Sequence, residues 1–124
     1  MSRILLYNFN PTKAAKLKML CRNFFIEAVD VPREKFGLPV VCLLDESEGE
    51  AKEGEMFEEE MLYFADINGG FLSILLDQMR RKKLSVALKA VKTETNVNFT
   101  SFELYRELSA EREAIAKGKT AHEQ

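Results

Sequence analysis

The sequence predicts an α+β fold, a ferredoxin-like β-α-β-β-α-β sandwich built from two tandem βαβ units with an added C-terminal helix. Three observations carry this expectation. Sliding the chain against itself by 58 residues places ILLYNFNPTKAAKLKMLCRNFFIEAV over LYFADINGGFLSILLDQMRRKKLSVA without a gap. Identities are few, but each copy passes from an apolar strand through an asparagine into an amphipathic helix and out into a second strand. A third helix then starts at TSFE, a capping box.

The opening strands are expected at residues 4–9 and 61–67. Asn10 and Asn68 follow as helix N-caps, side-chain oxygens that accept from the free amides of the next turn. Pro11 suits the first helical position, where its missing N–H costs nothing, and Gly69 with Gly70 follow the second cap. Leu17, Leu20, Cys21 and Phe24 mark one face of the first helix; Leu72, Leu75, Leu76 and Met79 mark that of the second. Closing strands are expected near residues 26–31 and 84–91. In the C-terminal helix Thr100 and Glu103 form the box, and Phe99 and Leu104 are placed for a hydrophobic staple.

The opening strands would form the central pair, and both are apolar on both faces. A sheet with one wet face alternates instead. The second face therefore needs a cover: residues 38–44, the C-terminal helix or another subunit. The last choice predicts a homo-oligomer.

At 124 residues the chain suits one domain over residues 1–117, with a frayed polar tail at 118–124. No apolar run approaches the roughly 20 residues of a membrane helix, so a cytoplasmic protein with no membrane partner is expected. Cys21 and Cys42 read as buried, reduced thiols. The net charge of −2 hides a segregation, since residues 45–60, DESEGEAKEGEMFEEE, hold nine acids and one lysine. That run reads as a solvated acidic loop, and it lacks the Asp/Asn alternation and turn glycine of an EF-hand. No metal or cofactor is expected.

Residues 88–108, LKAVKTETNVNFTSFELYREL, are the most specifically patterned stretch. Helix initiation accounts for Phe99, Thr100, Glu103 and Leu104. Lys89, Asn96 and Asn98 have no task legible from sequence and form a candidate surface site, although asparagines in such runs commonly shape turns. The free amides of the two helix N-termini, expected at the same end of the sheet, are a candidate anion or ligand site at Asn10, Asn68, Gly69 and Gly70.

ILLYNF, EMFEEEMLYF and LKAVKTETNVNFTSFELYREL together resemble a family of small bacterial proteins, domain-of-unknown-function family 3783. The resemblance runs from Ile4 to about Glu111 and implies a bacterial setting and one domain, but no reaction. In that family a tryptophan is common where Phe99 stands, and a histidine often follows Glu111 where this chain has Arg112. A role resting on that histidine does not carry over.

His122 is the single histidine and lies in the polar tail, so no His-based triad or His-rich metal site can be assembled. No phosphate loop or dinucleotide fingerprint occurs. An enzyme is not expected. RNA-binding domains of related fold stack bases on aromatics of the central strands, but Leu5 stands at that position and EEE precedes the second central strand, so no nucleic acid is expected. Two functions remain: a non-catalytic protein-interaction or assembly module, with an unknown protein partner, and a small-ligand sensor, for an anion or metabolite, at the helix N-termini.

Overall fold

A computed structural model describes residues 2–122, with side chains to residue 117. The strands are β1 (Arg3–Tyr7), β2 (Glu27–Asp30), β3 (Met61–Ala65) and β4 (Leu88–Val91). The helices are α1 (Pro11–Arg22), α2 (Val40–Asp45), α3 (Gly69–Arg81) and α4 (Ser101–His122). Short 3₁₀ turns occupy Arg33–Lys35 and Asn96–Asn98. Residues 38–44, one of the covers expected for the second face, supply most of α2. The helix of α4 continues past residue 117, where the polar tail was expected to begin, and residues 123–124 lie outside the described residues.

The four strands form one mixed sheet in the order β2-β1-β3-β4. β1 pairs with β2 in parallel, β3 pairs with β4 in parallel, and the central β1–β3 pair is antiparallel. The opening strands are central, as predicted, but the order differs from a ferredoxin-like sandwich. There each unit is split, with a strand of the other unit between its own two strands. Here each unit keeps its two strands side by side. After α1 the chain turns within residues 23–26 and drops onto the edge next to β1.

Both units share their irregular backbone positions at the same spacing. Asn8 and Asp66, which leave β1 and β3, have positive φ of 62° and 58°; Phe25 and Lys83, which leave α1 and α3, have 56° and 59°. Each pair lies 58 residues apart. Each helix closes with a bond reaching back five residues, from Ile26 N to Cys21 O at 3.1 Å and from Leu84 N to Met79 O at 2.8 Å. This is a Schellman ending, whose left-handed residue is usually glycine. The closing strands do not keep the gapless alignment. Arg3 pairs with Glu27 but Met61 pairs with Leu88, so residues 85–87 are extra in the second unit.

Two cores sandwich the sheet. Ile4, Leu6, Leu62 and Phe64 face Ala14, Leu17, Cys21, Leu75 and Met79 of α1 and α3. On the opposite face Leu5, Tyr7, Met61 and Tyr63 meet Phe36, Val40, Phe57 and Leu104. The chain itself thus covers the second face with α2, α4 and Phe57. The open face that motivated a homo-oligomer is absent.

Phe57 corrects the picture of residues 45–60 as a wholly solvated loop. Residues 46–56 are exposed, but Phe57 is buried, stacked on Phe36 at 5.1 Å and on Tyr105 at 4.2 Å. The Asn8 side chain donates to the carbonyls of Phe57 and Glu59 at 2.9 and 3.0 Å. Glu58 pairs with Arg33, Glu59 with Arg112 at 2.7 Å and Glu60 with Lys13 at 2.7 Å. An apolar ring within an acidic run is enough to dock its end. Among the described residues no helix is long and apolar enough to cross a membrane.

Candidate interaction surface

Both asparagine caps form as the sequence predicts: Asn10 accepts from Lys13 N and Asn68 from Gly70 N, each at 2.8 Å. They do not share a site. Because β1 and β3 are antiparallel, α1 and α3 begin at opposite ends of the sheet. This corrects the expectation of two N-termini at one end, which the predicted fold did not support either, since a ferredoxin-like sandwich pairs β1 and β3 antiparallel as well. Asn10, Asn68, Gly69 and Gly70 are therefore not brought together, and both cap oxygens are engaged by their own helices.

The other candidate residues have internal tasks. Asn96 accepts from the Tyr63 hydroxyl at 2.6 Å and from Thr93 N at 2.8 Å, and donates to Val91 O at 2.9 Å. Asn98 donates to Glu94 O at 3.1 Å, and the Lys89 ammonium donates to Val86 O. The capping box closes as predicted, with Thr100 N to Glu103 Oε1 at 3.1 Å and Glu103 N to Thr100 Oγ1 at 3.2 Å. Val40 N donates to Phe99 O at 2.8 Å and Ser101 N to Phe36 O at 3.0 Å, so the stretch locks α2 to α4. It is a corner by geometry.

The buried titratable groups are likewise engaged or inert. Burial pushes the Tyr7 and Tyr63 phenols well above their ordinary range, and the Tyr7 hydroxyl accepts from Ser101 at 2.9 Å. Burial raises the Cys21 thiol to about 11, the behaviour of a structural cysteine rather than a nucleophile. Cys42 is half-buried, not buried as expected. It lines a cleft of about 520 Å³ beside β2 with Leu5, Val31, Lys35 and Leu43.

Both helical layers have an outer side; on that of α2 and α4, Val41 and Ile115 are exposed, and half of the large apolar side chains that are exposed among the described residues lie on α1, α3 and the turn after α1. Each helix runs against its own strands, so α1 and α3 are antiparallel to each other. Contacts at both ends fix this: the rings of Phe24 and Phe71 lie 6.4 Å apart, and Lys13 Nζ reaches Ser85 O at 3.1 Å. At the Phe24 end and along the solvent side, Met19 is 66% exposed, Phe25 93%, Phe71 54% and Ile74 51%. Phe25 holds its ring in water from a left-handed backbone, a conformation costing a residue with a side chain about 1–2 kcal/mol.

None of these four was singled out from sequence. A signal for them was present in the 58-residue overlay, where Met19 lies over Asp77, Phe25 over Lys83, Phe71 over Lys13 and Ile74 over Lys16. Each exposed apolar residue occupies a position that is charged in the other unit. Such positions face solvent by the geometry they share, so an apolar residue there has no core to enter.

No curated protein and no solved structure matches the chain. A family model does match, over residues 60–115, the part holding β3, α3, β4 and the start of α4. The resemblance read from EMFEEEMLYF and LKAVKTETNVNFTSFELYREL is thus supported, and over these residues the chain is similar to the family described as Domain of unknown function (DUF3783).

Proposed function

We propose that the protein is a non-catalytic protein-interaction module that docks a partner on its α1–α3 layer. The observation that carries this reading is the group Met19, Phe25, Phe71 and Ile74, exposed on one layer while both faces of the sheet are buried by the chain itself. Single exposed apolar groups are ordinary, but several on one layer, one of them held at a conformational cost, are what an interaction surface needs. Burying them on a partner returns about 25 cal/mol for each Å² of apolar area removed from water.

The alternative, a small-ligand sensor for an anion or metabolite at the helix N-termini, has weaker support. Each terminus would have to bind alone, and Asp66, near the start of α3, would oppose an anion there. A homo-oligomer remains one form the interaction reading can take, through the helical layer and not through the sheet.

The test is photocross-linking in producing cells with benzoylphenylalanine at position 25 or, on the opposite side, at position 107. A discrete protein adduct from position 25 and none from position 107 is expected. Equal labelling from both, or none from position 25, would count against the reading.

A further inference from the structure

Resting on that reading, we propose that the partner presents a linear segment with bulky apolar residues at one end and clustered carboxylates at the other, laid along the α1–α3 layer. The layer differs between its two ends. Its Phe24–Phe71 end carries the exposed apolar side chains, while the end where Lys13 meets Ser85 gathers Arg80, Arg81, Lys82 and Lys83.

The charge of this layer is lopsided. Residues 11–22 and 69–83 hold eight bases and one acid, Asp77, leaving ten bases and nineteen acids elsewhere in the chain. Asp77 is taken up by Arg80 and by Arg81 at 3.0 Å. Lys13 pairs with Glu60 and Lys18 with Asp30. Lys16, Arg22, Lys82 and Lys83 make no ion pair among the described residues. These are the cations a carboxylate from outside would meet: Arg22 stands singly near the Phe24–Phe71 end, whereas Lys82 and Lys83 are exposed together at the other.

This pattern discriminates among charged partners. A nucleic acid carries its phosphates evenly and would lay half of them over the apolar end, whereas a peptide can confine its charge to one end. A helix as long as α1, twelve residues, spans about 18 Å at 1.5 Å per residue. One amphipathic segment of that length reaches both ends of the layer.

The probe is a displayed library of random peptides of about 16 residues, enough to run the length of the layer, selected on the full chain. Enriched clones are expected to segregate Phe, Leu or Trp from a block of Asp or Glu. Lys82→Glu with Lys83→Glu, and separately Phe71→Ser, should each weaken a selected peptide about tenfold or more, and Glu107→Lys should leave it within about twofold. Enriched peptides without an acidic block, or charge reversal without effect, would overturn the proposal. So would no enrichment, or retention on phosphatidylserine vesicles in place of peptides. A dimer that the charge reversal dissolves would replace the peptide by a second copy. A cross-link from position 25 without acidic enrichment keeps the interaction reading and removes only this chemistry; loss of both removes both.

Discussion

The Tyr63 hydroxyl donates a 2.6 Å hydrogen bond to the side-chain oxygen of Asn96, tying the polar run after β4 to the buried centre of the sheet. Removing one partner of such a bond leaves the other without compensation for its lost water. Asn96→Ala should therefore cost about 1–3 kcal/mol, read from denaturant unfolding. Asn98→Ala, at an exposed turn, should stay within about 0.5 kcal/mol. Adding Tyr63→Phe should recover part of the first loss. Equal midpoints for Asn96→Ala and the parent would refute the corner assignment.

The acidic loop divides into two parts with different energetics. Phe57→Ala empties the centre of a stack running from Phe36 to Tyr105 and should cost about 3–5 kcal/mol. Replacing residues 46–54 by a short Gly/Ser linker removes exposed chain and should shift the melting temperature by a few degrees at most, about the effect of 1 kcal/mol or less. A larger loss for the linker than for Phe57→Ala would reverse this assignment.

Phe25→Gly should make the protein more stable. The left-handed position at a Schellman ending suits glycine, and the exposed ring contributes no buried area. Relief of the backbone conflict is worth about 1 kcal/mol, less what glycine loses in unfolded-chain entropy. The same variant should lose partner binding. A drop in melting temperature would show that the ring has a structural role after all.

Two carboxylates link stability to acid. Glu59, hydrogen-bonded by Arg112, and Glu103, hydrogen-bonded by the Thr100 amide, both titrate below the ordinary glutamate value of 4.5. A lowered folded-state pKa means that each contribution is complete above that value and disappears as pH falls through the folded-state pKa. The stability gap between the parent and Arg112→Leu should therefore narrow on acidification from pH 7 to below 4.5. Thr100→Ala should cost about 0.5–2 kcal/mol at neutral pH as a lost cap. A gap that widens in acid would contradict the assigned pairing.

The parts of this fold visible in sequence are those encoded within one turn of chain. Asn10, Asn68 and the Thr100–Glu103 box each satisfy amides two or three residues away, so their patterns survive without knowledge of the rest. Strand order is different. A strand-helix-strand run reads alike whether the crossover lands beside its own first strand or skips one, and only the observed pairing decides between the two. Asn96 was opaque because its partner, Tyr63, is 33 residues away. Phe57 was hidden among acids, and Phe25 passed unread beside Phe24, although the left-handed turn sends its ring into water.

The partition of charge has a kinetic consequence. A net charge of −2 would suggest that an acidic partner is repelled, yet a molecule whose α1–α3 layer carries a net +7 against −9 in the rest of the chain behaves at close range as a dipole. Within a screening length of about 8 Å at physiological ionic strength, the nearer layer dominates the field. An incoming carboxylate block is therefore turned toward the helical face before any side chain touches it. Added salt should slow this capture much more than it hastens release, because the steering acts on encounter while the apolar end governs how long the complex lasts.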